Sequence, residues 1–306
     1  MRWTRLLLAL FVLALAGVVA WMVVLDPSRA GTAADGQPLD PTAFATGSCV
    51  AFPPTTGDRH KTVFLDAGHG GLDPGAVGTT TSGATVDEAT VTLPVELAAA
   101  RSLRRLGFRV VVSRTSDSSV VRLSAADRTG GTLSLLGVHD DVASRDVCAN
   151  LARADLLVGI YFDSGASAKN AGSLTTYDSD RPFAAANQRL ATLLQRAVRA
   201  AINAKGWEVP DAGVLSDSTE GSLVPTSSYG SIARGAASYH HLLLLGPAMP
   251  GYFSTPSAMP GAVIEPLFVT DPFEASIAAS GEGQSVMASG VTTAVEQYFQ
   301  LTASTQ

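Results

Sequence analysis

"TVFLDAGHGGLDPGAVG" (Thr62–Gly78) joins two patterns. Its first four residues, Thr62–Leu65, are β-branched, aromatic or aliphatic, the composition of a buried parallel strand, and the glycine-rich remainder after Asp66 and Ala67 reads as a loop at that strand's carboxyl end. Downstream, "PVELAAARSLRRLG" (Pro94–Gly107) has the periodicity of an amphipathic helix stopped by Gly107, and "FRVVVSR" (Phe108–Arg114) is the next strand. The alternation continues. A helix in "RDVCANLARA" (Arg145–Ala154) leads to the strand "DLLVGIYF" (Asp155–Phe162), followed by a long helix over Pro182–Gly206. Two further buried strands are expected in "HLLLLG" (His241–Gly246) and "GAVIEPLFV" (Gly261–Val269), and a closing helix over Gly283–Gln300. Ser116–Val142, rich in Gly, Thr, Ser and Asp, reads as an insertion. The fold class is α/β, with a mainly parallel central sheet flanked by helices and functional groups gathered where strands end.

The 306 residues are 46% hydrophobic and 16% charged, with a net charge of -6. Three Arg and one Asp fall in the first thirty residues, leaving 18 basic against 26 acidic side chains beyond them. An acidic body of this kind excludes nucleic acid as an electrostatic partner. Arg2 and Arg5 precede an uncharged apolar run from Leu6 to Leu25, long enough to span a bilayer. The flanking charges orient the rest outward. Residues 1–30 therefore read as a transmembrane signal anchor and 31–60 as a tether, with the main domain over 61–300. A cleaved signal peptide ending near "SRA" (Ser28–Ala30) is the alternative, giving a secreted protein. Both place the domain outside the cytoplasm, where Cys49 and Cys148 are expected to pair.

The loop "GHGG" (Gly68–Gly71) exposes His69 at the strand's end, and with "LDPGAVG" it resembles the opening motif of zinc-dependent N-acetylmuramoyl-L-alanine amidases of the third amidase family. The resemblance runs on through "VDEATVTLPVELAAARSLRRLGFRVVVSR", through Arg145, Ala149–Asn150 and Asp155, and through "PGAVIEPLFV". It implies a phosphorylase/hydrolase-like sheet, a peptidoglycan substrate and a zinc site. His69 matches the first zinc ligand, Glu88 the second, and Glu265 the catalytic glutamate. The implied reaction cleaves the amide between N-acetylmuramic acid and L-alanine, by a metal-activated water whose proton a carboxylate takes and passes to the leaving amine.

Tyr161 stands where the family has its third ligand, a His, and three readings follow. Tyr161 binds zinc as phenolate, against an ordinary pKa near 10. Alternatively, His241, on the strand expected beside that of Glu265, fills the position. The third reading has no tight zinc site, because two ligands hold zinc far less firmly than three. That reading carries the alternative function: a degenerate amidase domain that binds peptidoglycan, or regulates a cell-wall hydrolase, without catalysis. Any protein regulator is unknown from the sequence.

Overall fold

The structure is a computed structural model describing residues 36–167, 170–218 and 239–303, with the backbone alone at 219 and 220. The run from Leu6 to Leu25 lies outside these residues. Among those described, no helix is long and apolar enough to cross a membrane.

The strands are β1 (Gln37–Pro38), β2 (Ser48–Phe52), β3 (Thr62–Ala67), β4 (Val77–Thr79), β5 (Thr85–Asp87), β6 (Arg109–Arg114), β7 (Arg128–Thr129), β8 (Thr132–Leu133), β9 (Leu156–Ile160), β10 (Ser173–Tyr177), β11 (Asp211–Ser216) and β12 (Gly261–Glu265). The helices are α1 (Glu88–Arg105), α2 (Leu135–Leu151), α3 (Ala184–Asn203), α4 (Asp217–Glu220), α5 (Pro272–Ala278) and α6 (Gly281–Ala303). One eight-stranded sheet runs β1-β2-β6-β3-β9-β12-β10-β11. Its centre, β6-β3-β9-β12, is parallel; β10 runs antiparallel to β12, and β11 runs parallel to β10.

The two faces of the sheet carry different covers. Val63, Leu65, Val158, Ile160 and Ile264 point to one side, where α1, α3 and α6 pack over them. Phe64, Leu157, Tyr161 and Val263 point to the other, against Cys148 and Ala149 of α2, Ala152 just past its end, and Leu244, Leu245 and Met259. Every residue of β9 is buried, as a strand covered on both faces requires.

Several expectations change. The stretch assigned to a tether is partly sheet: β2 pairs antiparallel with β6, and β1 with β2. Helix α1 starts at Glu88, with Pro94 inside it. That proline deletes one intrahelical bond, yet loop carbonyls fix the earlier start: Glu88 N donates to Ala76 O and Ala89 N to Pro74 O. Helix α2 begins at Leu135, capped by the Ser134 side chain, and takes up part of the supposed insertion. "HLLLLG" forms no strand; Leu242–Leu245 make a turn, with Leu245 N and Gly246 N both donating to Leu242 O, and their side chains pack on the α2 face. An apolar run of that length serves a buried turn as readily as a strand.

Cys49 of β2 and Cys148 of α2 form a disulfide across 99 residues, with Cα atoms 5.6 Å apart. It ties the antiparallel edge to the helix on that face. Replacing both cysteines with Ala should lower the unfolding free energy by about 4.7 kcal/mol, the chain-entropy value for a loop of this length. An unchanged urea midpoint would refute the estimate.

Candidate active site

Strand register gathers the motif residues on one rim. Ala67 of β3 lies opposite Ile160 of β9, which lies opposite Ile264 of β12. The residues that follow stand side by side on this rim: Gly68–His69 and Tyr161–Phe162 leave the sheet, and Glu265 ends β12. Glu265 is 6% exposed and lies two strands from β3, or about 10 Å at ordinary strand spacing.

His69 turns out of the strand with φ 60°, a left-handed conformation that a residue with a Cβ adopts only under constraint. Arg145 supplies one: its Nη2 donates to His69 O at 2.9 Å. The imidazole then lies between two carboxylates. Nδ1 faces Asp73 Oδ2 at 2.8 Å, and Nε2 faces Glu88 Oε2 at 3.1 Å. Gly75 makes room for the pair, since a Cβ there would stand 2.6 Å from His69 Cδ2 and 2.7 Å from Glu88 Oε2. Glu88 is itself aimed by the backbone, accepting from Phe162 N at Oε1 and from Ala76 N at Oε2, both at 2.9 Å. Burial opposes charge on His69, but Glu88 and then Asp73 more than offset it and raise the imidazole to about 10. Without a metal the imidazole therefore keeps its second proton, which a cation binding at Nε2 displaces.

Tyr161 occupies its position differently from a ligand. Its ring lies edge-on to His69, centroids 5.5 Å apart, and against Gly68, where a Cβ would collide with it. Its hydroxyl donates to Asp66 Oδ2 at 2.9 Å, and Asp66 Oδ1 accepts from Arg145. Arg145 is 1% exposed and also bonds Ala67 O and Asp141 Oδ2. Burial works against its charge, but Asp66, Tyr161 and Asp141 prevail and hold the guanidinium well above its ordinary value. The phenol is thus part of a buried charged cluster beneath the His69 loop.

His241 does not join His69 and Glu88. It belongs to the opposite rim, because β10 runs antiparallel to β12: Leu174 is opposite Glu265 and Thr176 opposite Val263, so Asp178 lies by the start of β12. Four residues of strand, about 13 Å, separate that end from Glu265. There His241 Nδ1 meets Asp178 Oδ2 at 2.9 Å and Asp217 Oδ2 at 3.4 Å. Burial, then Asp178, pushes the Asp217 carboxyl up to about 8.

The donor set at His69 fits a cation in part. His69 Nε2 and Glu88 Oε2 are spaced as ligands of one ion, with Asp73 holding the other ring nitrogen as metal-bound histidines usually require. Among the described residues, no third His, Cys, Asp or Glu lies with both within the 4.8 Å expected of a common site. Beside the loop opens a groove of about 360 Å³, lined by Gly71, Leu72, Ser119, Val121 and Arg122 among others.

The residues that the motifs did not single out are supports. Asp66, Asp73 and Asp141 sit within or near matched segments, but their roles depend on which side chain each faces. Glu96, on α1, accepts from Ala67 N and Ser113 N under the end of β3.

The sequence family described as N-acetylmuramoyl-L-alanine amidase matches residues 63–297. The germination-specific N-acetylmuramoyl-L-alanine amidase of Bacillus subtilis (strain 168) is 25% identical over 239 residues, 78% of this chain and 80% of the relative. Among solved structures, the CwlD amidase from Clostridioides difficile, in complex with the GerS lipoprotein, aligns with a TM-score of 0.57 at 17% identity, covering 79% of this chain and 99% of that one. AmiC2 of Nostoc punctiforme aligns at 0.54 and 21%, covering 80% and 99%. These likenesses establish the fold.

Removing Arg145 (Arg145→Ala) strands Asp66 and Asp141 and should cost about 3–5 kcal/mol; Tyr161→Phe, which deletes one hydrogen bond to a buried carboxylate, should cost about 1–3 kcal/mol. Chemical denaturation ranks them, and an inert Arg145→Ala would refute the central role of the cluster. Burial pushes Glu96 up to about 8 despite Arg114. Its contribution to stability is full below about 4.5, the unfolded value, and is lost as pH rises through about 8. Glu96→Gln should therefore gain stability relative to the unmodified chain between pH 5 and pH 9. An offset independent of pH across that window contradicts the assignment.

Proposed function

Because the chain belongs to the N-acetylmuramoyl-L-alanine amidase family, we propose that it hydrolyses the amide between N-acetylmuramic acid and the L-alanine of a peptidoglycan stem, with His69 and Glu88 holding a divalent cation and Glu265 moving the proton. The observation that carries this reading is the His69–Glu88 contact at 3.1 Å, with Asp73 on the far ring nitrogen. Zinc is the cation implied by the family resemblance, and when bound it supplies a polarised water and an electrophile for the amide carbonyl. The chain's own residues do the rest. Asp73 fixes the tautomer that presents Nε2, and Arg145 holds the His69 carbonyl so that the ring cannot turn away. Glu265, on the same rim, takes a proton from water and returns it to the departing alanine nitrogen. The groove by Gly71 and Arg122 offers the peptide stem a place to lie.

Only two protein ligands are proposed for this cation, since the Tyr161 hydroxyl is committed to Asp66 and His241 stands on the other rim. The same commitment of Tyr161 favours a second reading, a domain that binds peptidoglycan without cutting it. Location outside the cytoplasm, by an anchor or after cleavage, is supported by the Cys49–Cys148 disulfide and by the apolar run ahead of the domain.

Incubation of the full chain with peptidoglycan and zinc, read as release of stem peptides by mass spectrometry, tests the proposal. Release is expected, and Glu265→Gln should reduce it by about 10²–10⁴-fold while leaving the melting temperature nearly unchanged. No release from the unmodified chain would leave the binding reading standing. Tyr161→His should tighten zinc binding at least tenfold by restoring an imidazole, and lower metal-free stability by stranding Asp66. Unaltered zinc affinity would show that position 161 does not face the ion.

A further inference from the structure

We propose that Asp178, Asp217 and His241 form a second divalent-cation site, separate from the His69–Glu88 pair and binding a first-row metal ion such as zinc or manganese. The three side chains converge from three segments: the residue after β10, the residue after β11, and the residue before the Leu242–Leu245 turn. Each offers one ligand atom, all within 4.8 Å of one another. Asp178 and Asp217 are fully buried. Asp178 Oδ1 accepts from Asp180 N, outside the cluster, and Asp217 Oδ2, the oxygen nearer His241 Nδ1, also accepts from Leu242 N.

Three other atoms of the cluster make no hydrogen bond. Asp178 Oδ2, Asp217 Oδ1 and His241 Nδ1 are buried and unsatisfied, although Nδ1 lies 2.9 Å from one carboxylate and 3.4 Å from the other. Buried polar atoms are seldom left in this state. Ligands bound to one ion at about 2.0–2.2 Å stand about 3.0 Å apart in octahedral and about 3.5 Å apart in tetrahedral geometry, close to these separations. Two facing carboxylates buried together need either a shared proton or a cation between them.

One imidazole with two carboxylates suits zinc or manganese. Calcium prefers six to eight oxygens and fits this set poorly. The site lies beyond the start of β12, away from Glu265, so its ion has no part in the proposed hydrolysis. Its place at the ends of β10 and β11 and at the root of the turn packed on α2 makes it a clamp for that edge of the sheet.

The test uses the full chain carrying His69→Ala, so that the first pair contributes no metal. After chelation, zinc or manganese is titrated in, bound metal is counted by elemental analysis, and the melting temperature is followed. One retained equivalent is expected, with a rise in melting temperature. Adding Asp217→Asn, which keeps side-chain size and removes one of the facing charges, should weaken binding at least tenfold and abolish that rise. His241→Gln should do the same from a partly exposed position and serves if the first variant folds poorly. The proposal is overturned if the His69→Ala chain retains neither metal, or if both variants bind as tightly as their parent. A second equivalent held by the unmodified chain and lost on His69→Ala, with the first retained, reports on the other site, so the two outcomes stay distinct.

Discussion

The buried pair of Arg145 and Asp66 is the constraint on which the rim of the sheet depends. A guanidinium and a carboxylate removed from water repay their desolvation only when nearly every donor and acceptor is used. Here the donors reach Asp66, Ala67 O, His69 O and Asp141, linking α2 to the end of β3 and to the loop beyond it. Because one of those bonds is to the His69 carbonyl, the charge that fixes α2 on the sheet also fixes a histidine in a left-handed backbone conformation. Packing and site geometry therefore rest on one side chain.

Tyr161 makes sense within that cluster. A histidine at this position would face the same pocket with a shorter side chain, leaving the second oxygen of Asp66 to find another donor. The phenol supplies the donor and covers Gly68 with its ring. Its position beside His69 is thus compatible with a structural use, and the proposed cation keeps more coordination positions for water and substrate than three protein ligands would allow.

Much of this was legible in the sequence and some was not, for identifiable reasons. The central strands carried strong signals because parallel strands buried on both faces are continuous apolar runs. Glu88 at a helix head followed from resemblance, while the helix start itself was obscured by Pro94, whose ordinary place is a first turn. Strands β10 and β11 escaped because "SLTTY" and "DAGVLS" mix polar and small residues, as suits the sheet margin. The pairing of Tyr161 with Asp66 had no sequence signal, since the two are 95 positions apart and meet only through strand order.

The placing of His241 turns on the direction of one strand. Had β10 run parallel to β12, its far end would have met the rim that carries Glu265, and an imidazole held beside Asp178 would have been near His69. Because β10 is antiparallel, that end belongs to the opposite rim, with the carboxylate it carries. β11 runs parallel to β10 and so adds Asp217 there as well. The reversal that denies the amidase site a substitute ligand is the same one that assembles three ligand atoms where no motif called for them.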